Sequence, residues 1–201
     1  MFHRRCTRMI LALLTLAPLL PLLFAPSVAQ DATPPSIATP DPVAQVALLN
    51  IAEPPAELPG NGDAAIELRA WEDHYGQALE DVEGAWVLTG SPEFPLATII
   101  VFASEANAQA GIADYQGNSS QFSIRGLDAW TVADRGKWIC ITASGPMVVI
   151  GQALPANVDE PEQDVEIRSC DVLEATLAWL SNVLGAPVAT PRASPSSDPA
   201  G

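Results

Sequence analysis

The sequence predicts an α+β domain, a meandering antiparallel sheet of four to six strands with helices packed on it and one disulfide. Three observations predict it. Short runs rich in Val, Ile, Thr and aromatic residues recur between positions 85 and 153. Glycine-containing turns such as Asp134-Arg135-Gly136 and Ser144-Gly145-Pro146 join several of them directly. Stretches with apolar residues every three or four positions lie before, between and after these runs. Short connections with interspersed helices favour antiparallel pairing over parallel crossovers.

The first stretch, 43–51, is apolar and stops at Pro54-Pro55; its pattern fits a short helix or a strand. Asn61-Gly62-Asp63 reads as a turn ending in an N-cap. From 64 to 82, Leu68, Trp71, Tyr75, Leu79 and Val82 are spaced by three or four, the period of one helical stripe. Residues 85–89 and 97–103 read as strands. Ser104 can cap a helix running to about 115, with Glu105 in its first turn. Residues 121–125, 128–133, 137–143 and 147–153 read as further strands. An acidic loop leads into a last helix over 171–184, where Leu173, Leu177, Leu180 and Leu184 share a side and Gly185 supplies the stop.

The ends have a different character. Arg4, Arg5 and Arg8 precede an apolar run from 10 to 25, and Ser27-Val28-Ala29 puts small residues where a signal peptidase cuts. The run is broken by Pro18 and Pro21 and is short for a membrane span, so 1–29 reads as a secretory signal peptide rather than an anchor. Segments 30–42 and 187–201 hold eight of the 19 prolines among Ala, Ser, Thr and Asp. Their apolar surface is too small to offset ordering entropy, so they read as a linker and a tail around one domain at 43–186.

Charge excludes whole classes of partner. After cleavage at 29, 24 acidic side chains face six basic ones, a net charge of −18. Such a surface has no basic footprint for nucleic acid and is repelled by anionic lipid. From the signal-peptide pattern at 1–29, localisation is expected to be secreted or extracytoplasmic.

The mature chain keeps two cysteines, Cys140 and Cys170. An even pair in an exported protein reads as a disulfide, here pinning the last helix to the sheet. Cys140 would then share a sheet face with Trp138 and Thr142. A three-residue turn at 134–136 sets Trp130 opposite Cys140, and a two-residue turn sets it opposite Ile141; the first, which puts both tryptophans in one core, is preferred.

Three groups could carry chemistry. Glu67, His74 and Asp81 fall seven apart on the expected 64–82 helix, within about 40° of one another. Such a row could act as a proton switch or simply edge an amphipathic helix. Asp159, Glu160, Glu162, Asp164 and Glu166 crowd one loop with oxygen ligands of the kind calcium takes, but without the glycine and twelve-residue pattern of an EF-hand. A solvated acidic loop is the simpler reading. Ile139 and Ile141 alternate with Trp138 and Cys140, so both sheet faces are apolar. A helix (43–51 or 64–82), a second subunit or an apolar ligand must cover the second face. No serine elbow, phosphate loop or dinucleotide fingerprint is present, no cofactor is implied, and no spacing singles out a carboxylate pair for hydrolysis.

Phe102-Ala103-Ser104-Glu105-Ala106, Ile124 to Trp130 (Ile-Arg-Gly-Leu-Asp-Ala-Trp) and Met147-Val148-Val149-Ile150-Gly151 resemble secreted α+β domains of bacterial lipoproteins and the extracellular sensor domains of mycobacterial serine/threonine kinases. The resemblance spans about 85–184 and implies sensing of a ligand or partner outside the cell. The chain departs from those proteins in having no kinase and no lipidation cysteine. The expectation is an exported, non-catalytic binding or sensor-like module for a small apolar ligand or a protein partner. The alternative is a homodimer sealed through the apolar sheet face, and a third reading is a carboxylate-dependent hydrolase.

Overall fold

The computed structural model describes residues 41–90, 94–116 and 119–185. The expected signal segment, nearly all of the linker and the 187–201 tail lie outside them. Among the described residues no helix is long and apolar enough to cross a membrane.

The domain is α+β, built on one sheet of seven antiparallel strands in the order β1-β2-β3-β7-β6-β5-β4. Helix α1 (Pro42–Leu49) opens the chain, so the ambiguous first stretch is helical. Asp41 accepts a hydrogen bond from the Val43 amide at 3.2 Å, and Pro42 occupies the first helical turn, where its missing N–H is no loss. Strands β1 (Glu67–Ala70), β2 (Val82–Thr89) and β3 (Pro95–Phe102) form one meander. Helix α3 (Glu105–Gln116) then crosses a sheet face and delivers the chain to the far edge. Strands β4 (Ser120–Ile124), β5 (Leu127–Asp134), β6 (Lys137–Ser144) and β7 (Met147–Ala153) meander back until β7 pairs with β3. Helix α4 (Glu162–Leu184) closes the domain on the opposite face.

The expected helix over 64–82 does not exist. Its first part is β1, the seventh strand, in which Leu68 pairs with Leu88. A short helix α2 (Trp71–Tyr75) follows and is stopped by Gly76 at φ 71°, a left-handed conformation glycine adopts freely. The three-to-four spacing of apolar residues arose from a strand, a turn of helix and a loop in succession, which a periodicity count cannot separate.

The β5–β6 register also differs from the preferred one. Trp130 pairs with Ile141 and Thr131 with Cys140, because the connection is a two-residue turn at Arg135-Gly136. Both residues have positive φ, 50° and 82°, the backbone that matches the twist of a tight hairpin. Trp130 and Trp138 therefore face opposite sides of the sheet.

Each sheet face has its own core. Trp86, Leu88, Ile99, Val101, Cys140 and Val149 meet Val172, Leu173, Leu177 and Leu180 of α4, with Leu49 of α1 beside them. On the other face Trp130, Ile139, Ile141 and Val148 meet Ala108 and Ile112 of α3. Helix α4 lies very close to β7: a Cβ on Gly151 would collide with the Ser169 carbonyl and sit 2.6 Å from the Leu173 nitrogen.

Candidate functional site

The groups singled out by sequence do not converge. Glu67 sits on β1 and accepts two hydrogen bonds from Arg69, at 2.8 and 2.5 Å. His74 lies on α2 with its ring edge-on to Tyr75, centroids 4.5 Å apart. Asp81 occupies a turn at φ 61°. The expected carboxylate–histidine row is thus dispersed, because no continuous helix carries it.

The acidic segment is likewise not one ligand loop. Helix α4 begins nine residues earlier than expected, so Glu162, Asp164 and Glu166 lie on its first turns, where carboxylates are favoured by the helix dipole. Helical rotation then turns Asp164 away from Glu162 and Glu166. Glu166 accepts from the Thr131 hydroxyl at 2.6 Å, and Asp159 remains in the preceding turn. Glu160 is taken by Arg168, whose two terminal nitrogens donate to its oxygens at 2.6 and 3.0 Å. Among the described residues no group of three or more His, Cys, Asp or Glu is placed to hold a metal.

Cys140 and Cys170 do face each other across the β6–α4 contact, as the sheet register requires, but they are free thiols and the expected disulfide is absent. The side chains approach to 2.7 Å, well beyond the roughly 2.05 Å of a sulfur–sulfur bond. The hydrogen bond to Cys170, reinforced by burial, raises the Cys140 thiol far above the usual range. That same bond, received by Cys170, lowers the Cys170 thiol. Ile139 and Ile141 are 6% and 1% exposed beneath α3, so a helix covers the middle of the second face. It is neither of the two segments expected there.

The residues that do form a cleft were not legible from spacing. A cavity of about 450 Å³ opens where β3 begins and β7 ends. Pro59, Phe94, Leu96, Leu154 and Pro155 supply apolar walls, and Asn61, Gln152 and Arg168 supply polar groups. Each polar group is already fixed. Asn61 donates to the Ala64 carbonyl at 2.6 Å, and its side chain packs over Gly90, where a Cβ would collide with it. Gln152 donates to Thr98 at 3.3 Å and accepts from Lys137 at 2.8 Å. Arg168 also donates to the Leu154 carbonyl at 2.7 Å, and its stem runs across Gly60, where a Cβ would stand 2.9 Å from its Cδ. A guanidinium carries five N–H donors, so Arg168 is held rigidly while retaining donors for a bound molecule. The only sequence sign of this site was the pair Gly60 and Gly90, whose partners lie far along the chain.

Comparison with known proteins found no matching family model and no matching curated protein.

Proposed function

We propose that the chain is an exported, non-catalytic binding module that takes a small, mainly apolar molecule in the cleft between the β3 and β7 ends and Arg168. The observation that carries this reading is the cleft itself. Its volume is in the range of small-molecule pockets, its walls are largely apolar, and its few polar groups are fixed before any ligand arrives. Preorganised donors lose little freedom on binding, which is the arrangement a binding site needs. The signal-peptide pattern at 1–29 and the resemblance to extracellular sensor domains point the same way. The dimer reading is less favoured because α3 already occupies the centre of the apolar face.

Native mass spectrometry of the protein recovered from its own secretion route tests this. The expected result is a non-covalent adduct on a monomer, lost in an Ala156→Trp variant whose indole fills the cleft while circular dichroism stays the same. An adduct retained by that variant, or a bare dimer, would sink the proposal.

A further inference from the structure

Arg168 is the one charged side chain in the described lining of its cleft, and its charge is already answered. Glu160 lies behind the guanidinium, outside the lining, with 11% of its side chain exposed. Its carboxylate spans both terminal nitrogens of Arg168, at 2.6 and 3.0 Å, and also accepts from the Ala156 amide. These hydrogen bonds lower the Glu160 carboxyl and raise the guanidinium, so the pair stays ionised. The donors of Arg168 can be followed one by one. Nη2 gives one hydrogen to Glu160 and the other to the Leu154 carbonyl at 2.7 Å, and Nη1 gives one to Glu160. What is left is the Nε–H and one hydrogen of Nη1. They lie on different edges of the planar group, so no fork remains for a second carboxylate.

A carboxylate entering the cleft would give up its hydration, meet an arginine already neutralised and stand near the charge of Glu160. An uncharged polar group has no such cost, and the lining offers it a donor and an acceptor. Nε of Arg168 stands beside Gly60, 3.5 Å from where a Cβ would be. The next residue, Asn61, gives its Nδ2 hydrogen to the Ala64 carbonyl, which fixes which end of its amide is oxygen. No described residue donates to that Oδ1. Pro59, Phe94 and Leu96 leave room around them for an apolar body. We infer that the ligand is an uncharged amide on an apolar chain, its carbonyl accepting from Arg168 and its N–H donating to Asn61, and that Glu160 makes the cleft reject the matching carboxylate. This deepens the binding-module reading and rests on the Arg168 cleft being the ligand site.

The probes are octanamide and octanoate, alike in shape and differing in an amino group against a charged oxygen. Each is titrated into the protein at neutral pH and constant ionic strength, and followed by the backbone amide signals of Gly60 and Gly90 in nitrogen–proton correlation spectra. Octanamide is expected to move both signals and to bind about tenfold tighter than octanoate, the size of one unmet hydrogen bond to a charged group. Glu160→Gln leaves the Arg168 charge unanswered, so octanoate should bind that variant about tenfold tighter than it binds the wild type. Octanoate binding the wild type as well as octanamide does, or gaining nothing from Glu160→Gln, would overturn the amide assignment while leaving the cleft a binding site. Signals that neither probe moves in either protein, or that move equally in Ala156→Trp, would overturn the cleft reading with it. The wild-type comparison decides the assignment even where the Glu160 variant folds poorly.

Discussion

The two faces of the sheet are both apolar, yet they are covered in unlike ways. The α4 face meets a 23-residue helix running the length of β6 and β7, backed by α1. Its backbone sits so close to β7 that only Gly151 fits. The α3 face meets 12 residues, of which Ala108 and Ile112 are the buried ones. Around them Ile100, Phe102, Val132 and Ile150 remain only partly covered. One end of this face carries a polar chain, Lys137 to Gln152 to Thr98, in place of apolar packing. The difference follows from topology. Helix α3 is a crossover whose job is to carry the chain from the central β3 to the edge strand β4, and its length is set by that distance. Helix α4 ends the domain, and nothing limits how far it extends its apolar stripe.

That contrast can be broken or sharpened by substitution. Leu173→Ala on α4 removes a side chain with no exposed surface and should cost about 4 kcal/mol in chemical denaturation; Ile112→Ala on α3 should cost about 2 kcal/mol, because its neighbours can settle into the gap. Equal losses would mean the two cores are equally tight. Between these two lies Gly151→Ala, expected to cost about 3 kcal/mol since backbone on both sides must move. Its counterpart, Gly111→Ala on α3, places a Cβ 3.0 Å from the tip of the partly covered Phe102 ring, which can give. There the gain in helix propensity, about 1 kcal/mol, should leave stability unchanged or slightly raised.

The thiols probe the α4 face chemically. Because Cys140 donates to Cys170, the alkylation of Cys170 by iodoacetamide should have its pH midpoint below the usual thiol value of about 8.5. Cys140→Ala removes the donor, the largest lowering influence, and leaves burial, Glu166 and Asp171 raising the value against the smaller lowering by the Ser169 hydroxyl, so the midpoint should move up. A midpoint indifferent to that change would show that the hydrogen bond does not set Cys170 reactivity. The smallest effect is expected at the entry to α4. Arg168 lowers the Glu160 carboxyl, chiefly through its hydrogen bond. A carboxylate depressed on folding adds stability above its unfolded value and loses it as pH falls through the folded one. Glu160→Gln should therefore be slightly less stable at neutral pH and show a shallower fall in melting temperature below about pH 4.5. Parallel wild-type and variant curves across that range would remove Glu160 from the acid response.

Where signals were local and mutually consistent, the sequence was readable. Ser104 caps α3, its hydroxyl accepting from the Asn107 amide at 3.2 Å, and Gly185 ends α4 at φ 63°. The strands from 120 to 153 fall within a few residues of their expected limits. Reading failed where the deciding partner was distant. The start of α4 was hidden because Ser169 interrupts its apolar stripe, as Thr176 does one turn after the expected start. Both are buried, and their hydroxyls donate to the Glu166 and Val172 carbonyls one turn back, so they pack as part of that stripe. The carboxylates before them looked like a solvated loop. The cleft at Arg168 was invisible because its residues come from four separate stretches of chain.

The sequence by itself determined the α+β class, the order of nearly all the elements, and the need to cover both sheet faces, since apolar alternation and turn residues act over a few positions. Tertiary structure alone decided that 67–70 becomes an edge strand, that α3 rather than an earlier segment covers the second face, and that Trp130 and Trp138 part company. It also decided that the paired cysteines stay thiols and that Arg168, Asn61 and Gln152 meet around a cleft. Those outcomes depend on contacts between residues far apart in sequence, and burial, hydrogen-bond satisfaction and close backbone approach exist only once the strands are paired.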